Sequence, residues 1–298
     1  MSELSNLRVY KQNYMTVYRV SFRSMGELYM YLKSEPPVNN YVFQKMSSIS
    51  TDVSFGGVSY DWALEYCLGG YHGEYSVLLD MQKDLERYVP IKQYSYLWEH
   101  SFAGSHPNVP AFVADSPKAM YRRRRSDEKK FCTVYFNLAC PVKTKTKEIL
   151  HRGALTLSLV KLLEAEGMGV DLRVFMCVYD HDEMFLFEIS LKSPQEKLNA
   201  KKAFYPLCSR EFLRRIVIRV MESVPLRNRS WFPNYGMAVG AEQFRNMFGI
   251  PERDFVISTP GEMGITGGSI YRDGAEMFEK MGLDENIVIR LRKAGESD

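Results

Sequence analysis

The stretch from Phe131 to Lys192 limits this chain's possible folds more than any other. It reads as a strand FCTVYFNL (Phe131–Leu138), a nearly all-apolar helix EILHRGALTLSLVKLLEAEG (Glu148–Gly167), a strand VDLRVFMCVY (Val170–Tyr179), a turn DHDE (Asp180–Glu183) and a third strand MFLFEISLK (Met184–Lys192). In the middle strand Val170, Leu172, Val174, Met176 and Val178 alternate with Asp171, Arg173, Phe175, Cys177 and Tyr179. The period is two and both faces are largely apolar, which is the pattern of an inner strand. The helix has apolar residues at 154, 155, 157, 159, 160, 162 and 163, a band too broad for a single buried stripe. A strand–helix–strand crossover of this length makes the first two strands parallel. A turn as short as Asp180–Glu183 makes the third strand antiparallel to the second and places it at a sheet edge.

At 298 residues, with 45% hydrophobic and 25% charged residues, the chain can bury a large core without a disulfide scaffold. Its five cysteines (Cys67, Cys132, Cys140, Cys177, Cys208) are dispersed and form no CxxC pair, so they read as small apolar residues in a reducing compartment. The N-terminus MSELSNLRVYKQNYM lacks the apolar run of a secretory signal, and no segment approaches the ~20 apolar residues a bilayer demands. The expectation is a cytoplasmic protein without a membrane partner. A net charge of +3 does not by itself argue for nucleic acid. Nineteen tyrosines exceed what a core absorbs, so some are available for partner contacts.

Ahead of the central stretch, Thr16–Phe22 alternates as a strand. Ser24 caps a helix that Pro36-Pro37 ends. Ser59 opens a second helix with Gly69-Gly70 as its stop, and a charged helix spans Tyr75–Tyr88. Ser101–Arg125, with three prolines and a terminal basic run, reads as an irregular surface connector. This divides the chain into residues 1–120, an N-terminal α+β region with connector, and residues 121–298. Beyond the centre, Ser209 is the expected N-cap of a helix whose stripe is Phe212, Leu213, Ile216, Val217 and Val220. A strand is expected at Asp254–Thr259, then a glycine-rich loop PGEMGITGGS, then two helices at 272–281 and 284–293.

The order of parallel strand, helix, parallel strand and antiparallel hairpin, with the segment HRGALTLSLVKLLEAEGMGVDLRVFMCVY, resembles the von Willebrand factor A-like fold. FGGVSYDWALEYCLGGYHGE (Phe55–Glu74) and VPAFVADSPKAMYR (Val109–Arg122) resemble uncharacterised phage and mobile-element proteins with a degenerate version of that domain. The resemblance implies a three-layer, Rossmann-like α/β sheet, mostly parallel with an antiparallel edge strand, elaborated by the N-terminal region. It also implies a host-cell cytoplasmic setting. The A-domain metal motif D-x-S-x-S needs one carboxylate and two hydroxyls for Mg²⁺. Here the same place reads Asn137-Leu138-Ala139-Cys140-Pro141, in which alanine and proline offer no side-chain oxygen, so no metal and no cofactor are expected.

Other clusters carry weaker chemistry. Asp180, His181, Asp182 and Glu183 are adjacent in a tight turn and splay apart, which reads as a solvated hairpin. Gly264, Gly267 and Gly268 follow a strand and precede a helix, and their N–H groups suit an anion, although the spacing fits neither a Walker A loop nor GxGxxG. Arg122, Arg123, Arg124 and Arg125, with Lys129 and Lys130, form the sharpest basic cluster, and Lys143, Lys145 and Lys147 form a second. The five histidines fall in no triad pattern, and no G-x-S-x-G occurs, so no catalytic residue is assigned. The resulting expectation is a non-enzymatic, protein-binding interaction protein of a phage or mobile element. One alternative is a nucleic-acid-binding protein that uses residues 122–130 and 143–147. Another is an enzyme or sensor that takes a phosphorylated small molecule at Gly261–Ser269. Nothing in the residues fixes an oligomeric state.

Overall fold

The computed structural model describes residues 6–43, 45–50, 57–70, 75–88, 96–125, 131–231 and 235–296. A hairpin of β1 (Leu7–Gln12) and β2 (Met15–Phe22) comes first, turning at Asn13, whose φ is 56°. Helices α1 (Met25–Lys33), α2 (Met46–Ile49), α3 (Tyr60–Gly69) and α4 (Tyr75–Tyr88) follow. The next segment holds β3 (Tyr96–Ser101), β4 (His106–Pro107), α5 (Val109–Val113) and β5 (Met120–Arg125). The central stretch is β6 (Phe131–Asn137), α6 (Thr146–Ala165), β7 (Gly169–Asp180) and β8 (Glu183–Lys192). After it come α7 (Ala200–Cys208), a π-helical turn (Phe212–Val217) running into α8 (Ile218–Met221), β9 (Met237–Ala238), α9 (Ala241–Phe248) and β10 (Phe255–Ile257). The last helices are α10 (Pro260–Met263), α11 (Ile270–Lys280) and α12 (Glu285–Glu296).

The local signals explain most of these elements. Ser24 and Ser59 accept the Glu27 and Trp62 N–H groups as N-caps, each satisfying a donor that a helix start leaves orphaned. Helix α6 has no hydroxyl cap, and Glu148 instead reaches back to the Lys145 N–H. Its band from Leu150 to Leu163 is buried against the sheet on one side and packs against α4, α7 and α11 on others, which is why it is apolar almost all round.

The main sheet runs in the order β1-β2-β8-β7-β6-β10, with β9 added to the end of β7. Strands β7, β6 and β10 are parallel, β8 is antiparallel to β7, β2 is parallel to β8, and β1 is antiparallel to β2. The expected parallel pair is present, in a mixed α/β sheet. The edge position expected for β8 is corrected: β2 pairs along its outer side, from Thr16↔Glu183 to Phe22↔Ile189. A second correction concerns Ser101–Arg125, which is not irregular, because β4 and β5 pair with each other and β5 pairs with β3 in a separate three-stranded sheet. Ser209 is extended between α7, which it caps at the C-terminal end, and a helical run that begins at Arg210, so the helix expected after it is present. The division expected at residue 120 falls at the start of β5, and residues on both sides of it, from Tyr18 and Leu64 to Leu155 and Leu291, share one core.

Strand alternation sends residues to two faces. One face, with Tyr18, Val20, Val134, Phe136, Val170, Leu172, Val174, Phe185 and Phe187, forms the larger core with the helices. The other face is apolar over only half its length, where Met15, Val17, Phe175, Cys177 and Leu186 meet Phe244 of α9. The remaining half is polar. Arg8, Arg19, Asp171, Arg173, Glu188 and Ser190 line an open groove of ≈ 510 Å³. Ion pairs Arg19–Glu188 and Arg173–Asp171 hold its floor in place.

Candidate functional site

The carboxyl ends of β6 and β10 lie beside each other, and the chain leaves β6 toward β7 on one side with β10 on the other. In open α/β sheets such a switch point is where a crevice forms. Asn137 ends β6 and is fully buried. Its Oδ1 accepts from the Ala139 N–H at 2.9 Å and its Nδ2 donates to the Val239 carbonyl at 3.2 Å, so the amide ties the β6 loop to β9. Lys143 and Lys145 are exposed on the loop that leads into α6. Gly267 is at φ 71° against the first turn of α6, where a Cβ would come within 3.0 Å of the Glu148 nitrogen. The structure thus brings Asn137, Lys143, Lys145 and Gly267 to one end of the sheet.

The N–H groups of the glycine-rich loop are already engaged. Asp273 of α11 accepts from the Thr266 and Gly267 N–H groups and the Thr266 hydroxyl, each at 2.9 Å, and Gly268 donates to Thr266 Oγ1. Gly264, at φ 76°, is the C-cap of α10. Asp273 also contacts His151 Nδ1 at 2.6 Å, and both residues are buried. Burial raises the Asp273 carboxyl, but the His151 contact and the two backbone donors outweigh it, and its pKa lies below the usual aspartate value. This network bolts the loop onto α6.

Arg122, Arg123, Arg124 and Arg125 lie elsewhere, on β5, opposite Glu99, Trp98, Leu97 and Tyr96 of β3. Lys129 and Lys130 fall outside the described residues. None of the described side chains between residues 99 and 122 belongs to either core. Phe102, Val109, Phe112 and Val113 are 71%, 61%, 74% and 79% exposed, and the Lys118 ammonium lies 5.8 Å from the Phe102 ring centroid. Asn108 holds the module together by accepting the Ala111 N–H, while its own N–H donates to the Ala119 carbonyl. Gly104 has no room for a side chain, since a Cβ would meet the Tyr121 carbonyl oxygen.

Two sets of residues escape sequence reasoning. Glu183, assigned above to a solvated turn, is corrected: it is 4% exposed and accepts from Tyr18 Oη, the Arg227 and Asn228 N–H groups and Trp231 Nε1. Burial, with Glu183 beside it, pushes the Tyr18 hydroxyl up to about 12. The other set is a group of buried arginines, Arg152, Arg215 and Arg219, beside half-buried Arg210 and Arg214. Arg215 donates to the Ser47 and Ser50 carbonyls and Arg219 to Pro36, and buried Glu222 accepts from Ser47 and Tyr235. The cluster Arg210, Arg214, Arg215, Arg219 is visible in the sequence, but the faces it takes are set by the π-helical turn.

No helix among the described residues is long and apolar enough to cross a membrane. No curated protein and no solved structure matches the chain. One family model, described as Domain of unknown function (DUF7192), matches residues 6–285. That match spans nearly the whole fold, from β1 to the start of α12, and the chain belongs to this family.

Proposed function

We propose that this chain is a non-enzymatic, protein-binding interaction protein of a phage or mobile element, built on a metal-free A-like domain, with residues 96–125 as its partner surface. The observation that carries the reading is the segment around α5 and the loop after β3: none of its described side chains joins either core, and it leaves two phenylalanines and two valines in water. Apolar groups concentrated on one small element mark an interaction site, whereas scattered ones do not. Val109 and Val113 favour a protein partner, because aliphatic side chains cannot stack on bases. Lys118 and Arg122–Arg125 outnumber Glu99 and Asp115, so the partner surface is apolar with an acidic rim. The A-like reading is supported by the run β8-β7-β6-β10 and by an asparagine amide spent on backbone where the ancestral motif puts a carboxylate.

The test is affinity capture from host lysate with the full chain, beside a Phe112→Asp/Val113→Asp variant. A protein retained by the first and lost by the second supports the reading. Capture that disappears on nuclease treatment and weakens steeply with salt assigns the surface to nucleic acid instead. Identical capture by both proteins removes the 96–125 module from the account.

A further inference from the structure

Three guanidinium groups gather around the loop that follows β6. Arg152 of α6 is 2% exposed; it donates to the Ser258 carbonyl at 3.0 Å and lies over the Phe136 ring, its Cζ 4.3 Å from the centroid. Arg214 of the π-helical turn donates to the Cys140 carbonyl at 3.0 Å, and Arg210 donates to the Thr144 carbonyl. All three acceptors are neutral backbone oxygens. Among the described residues, no carboxylate lies within ion-pair distance of these arginines. Both Arg152 Nε and Arg214 Nε are buried without a hydrogen-bond partner.

Buried charge needs a counter-charge, and an orphaned charged donor is costlier than a neutral one. Burial pulls Arg152 down to about 10 and Arg214 below its usual value, and the groups that oppose this most strongly are thiols: Cys140 and then Cys208 for Arg152, and Cys140 for Arg214. Cys140, whose carbonyl accepts from Arg214, is half-buried, so this part of the loop reaches solvent. Exposed Lys143 and Lys145 on the same loop add positive charge at its rim.

We infer that the loops at the carboxyl ends of β6 and β10 bind a tetrahedral oxyanion of the phosphate class, held by Arg152 and Arg214 beside Cys140, with Arg210 fixing the loop. Such an ion supplies both missing acceptors and the missing negative charge, and planar guanidinium forks fit its oxygens. The inference does not depend on the 96–125 module.

Because Cys67, Cys132, Cys177 and Cys208 are buried, Cys140 is the thiol that reports on the crevice. The experiment treats the full chain with iodoacetamide, a neutral reagent, in inorganic phosphate or in chloride at equal ionic strength, with a Cys140→Ser variant to confirm the labelled site. Phosphate at roughly ten times its Kd slows Cys140 alkylation about tenfold and raises Tm by about 3 °C, while chloride does neither. Arg152→Gln risks the fold, so the variants are Arg214→Gln and Arg210→Gln at half-buried positions. Loss of both effects in either variant supports the site. Equal behaviour of phosphate and chloride overturns it, as does retention of both effects in both variants. Phenyl phosphate binding more tightly than inorganic phosphate assigns the anion to a larger molecule; equal or weaker binding assigns it to the free ion.

Discussion

Four donors from two segments, β2 and the stretch 227–231, converge on the Glu183 carboxylate, and they account for the path of the chain after α8. Glu183→Gln keeps the shape but turns a charged acceptor into a neutral amide with its own donors to satisfy, and the expected loss is about 2–3 kcal/mol, read from the urea midpoint. Tyr18→Phe removes one partner and is expected to cost about 1 kcal/mol in the same measurement. The sequence places Glu183 beside Asp180, His181 and Asp182, and neighbours of that kind suggest water. Its real partners lie 44 to 48 positions further on and 165 positions back, where no local pattern can reveal them. Asp273 offers a pH test. Its folded pKa is depressed, so its contribution is complete above the unfolded aspartate value near 3.9 and disappears as pH falls through the lower folded value. Acid titration of Tm is therefore expected to show wild type losing an advantage over Asp273→Asn that it holds in full at neutral pH.

Among the elements, α6 and β7 were the most legible, because their apolar patterns follow local periods and both keep the expected partners. Helix α7 was not: Pro206 sits inside it and masks it in the sequence, whereas the helical run expected after Ser209 is present. The edge strand β1 shows only a partial alternation because none of its residues is fully buried, and it joins the sheet through β2. Close approach also reverses an ordinary expectation in α6. Alanine normally stabilises a helix interior over glycine by roughly 1 kcal/mol, but a Cβ on Gly153 would lie 2.1 Å from Cys208 Sγ and 3.0 Å from the Leu207 carbonyl oxygen of α7. Gly153→Ala is expected to lower stability by about 1–3 kcal/mol, measured by chemical denaturation, and the gap to the propensity prediction measures how tightly α6 and α7 pack. On the other face, Phe244 stacks on Phe175 with centroids 3.9 Å apart. Truncating it with Phe244→Ala is expected to cost about 3–5 kcal/mol and to expose apolar sheet surface that a dye such as ANS would detect.

For the whole molecule, the paired β1 and β2 explain why the chain's first third is not a separate body: they extend the sheet past β8, and α1, α3 and α4 then close over the same core. The candidate site was legible only in outline. The residues named from the sequence at the β6 end, Asn137, Lys143 and Lys145, do share one region, but the arginines that bond the loops there come from α6 and from the segment after α7 and reach them through tertiary packing. The small sheet differs from everything else. Replacing residues 96–125 by a short Gly–Ser linker is expected to leave Tm within about 2 °C of wild type while abolishing partner capture, since no described side chain of the module enters a core.

Tyr96 and Arg125 face each other across β3 and β5, so this sheet enters and leaves the chain at nearly one point. A segment anchored that way behaves like a cassette. Its length, charge and apolar tips can change without moving the strands of the main sheet that carries it.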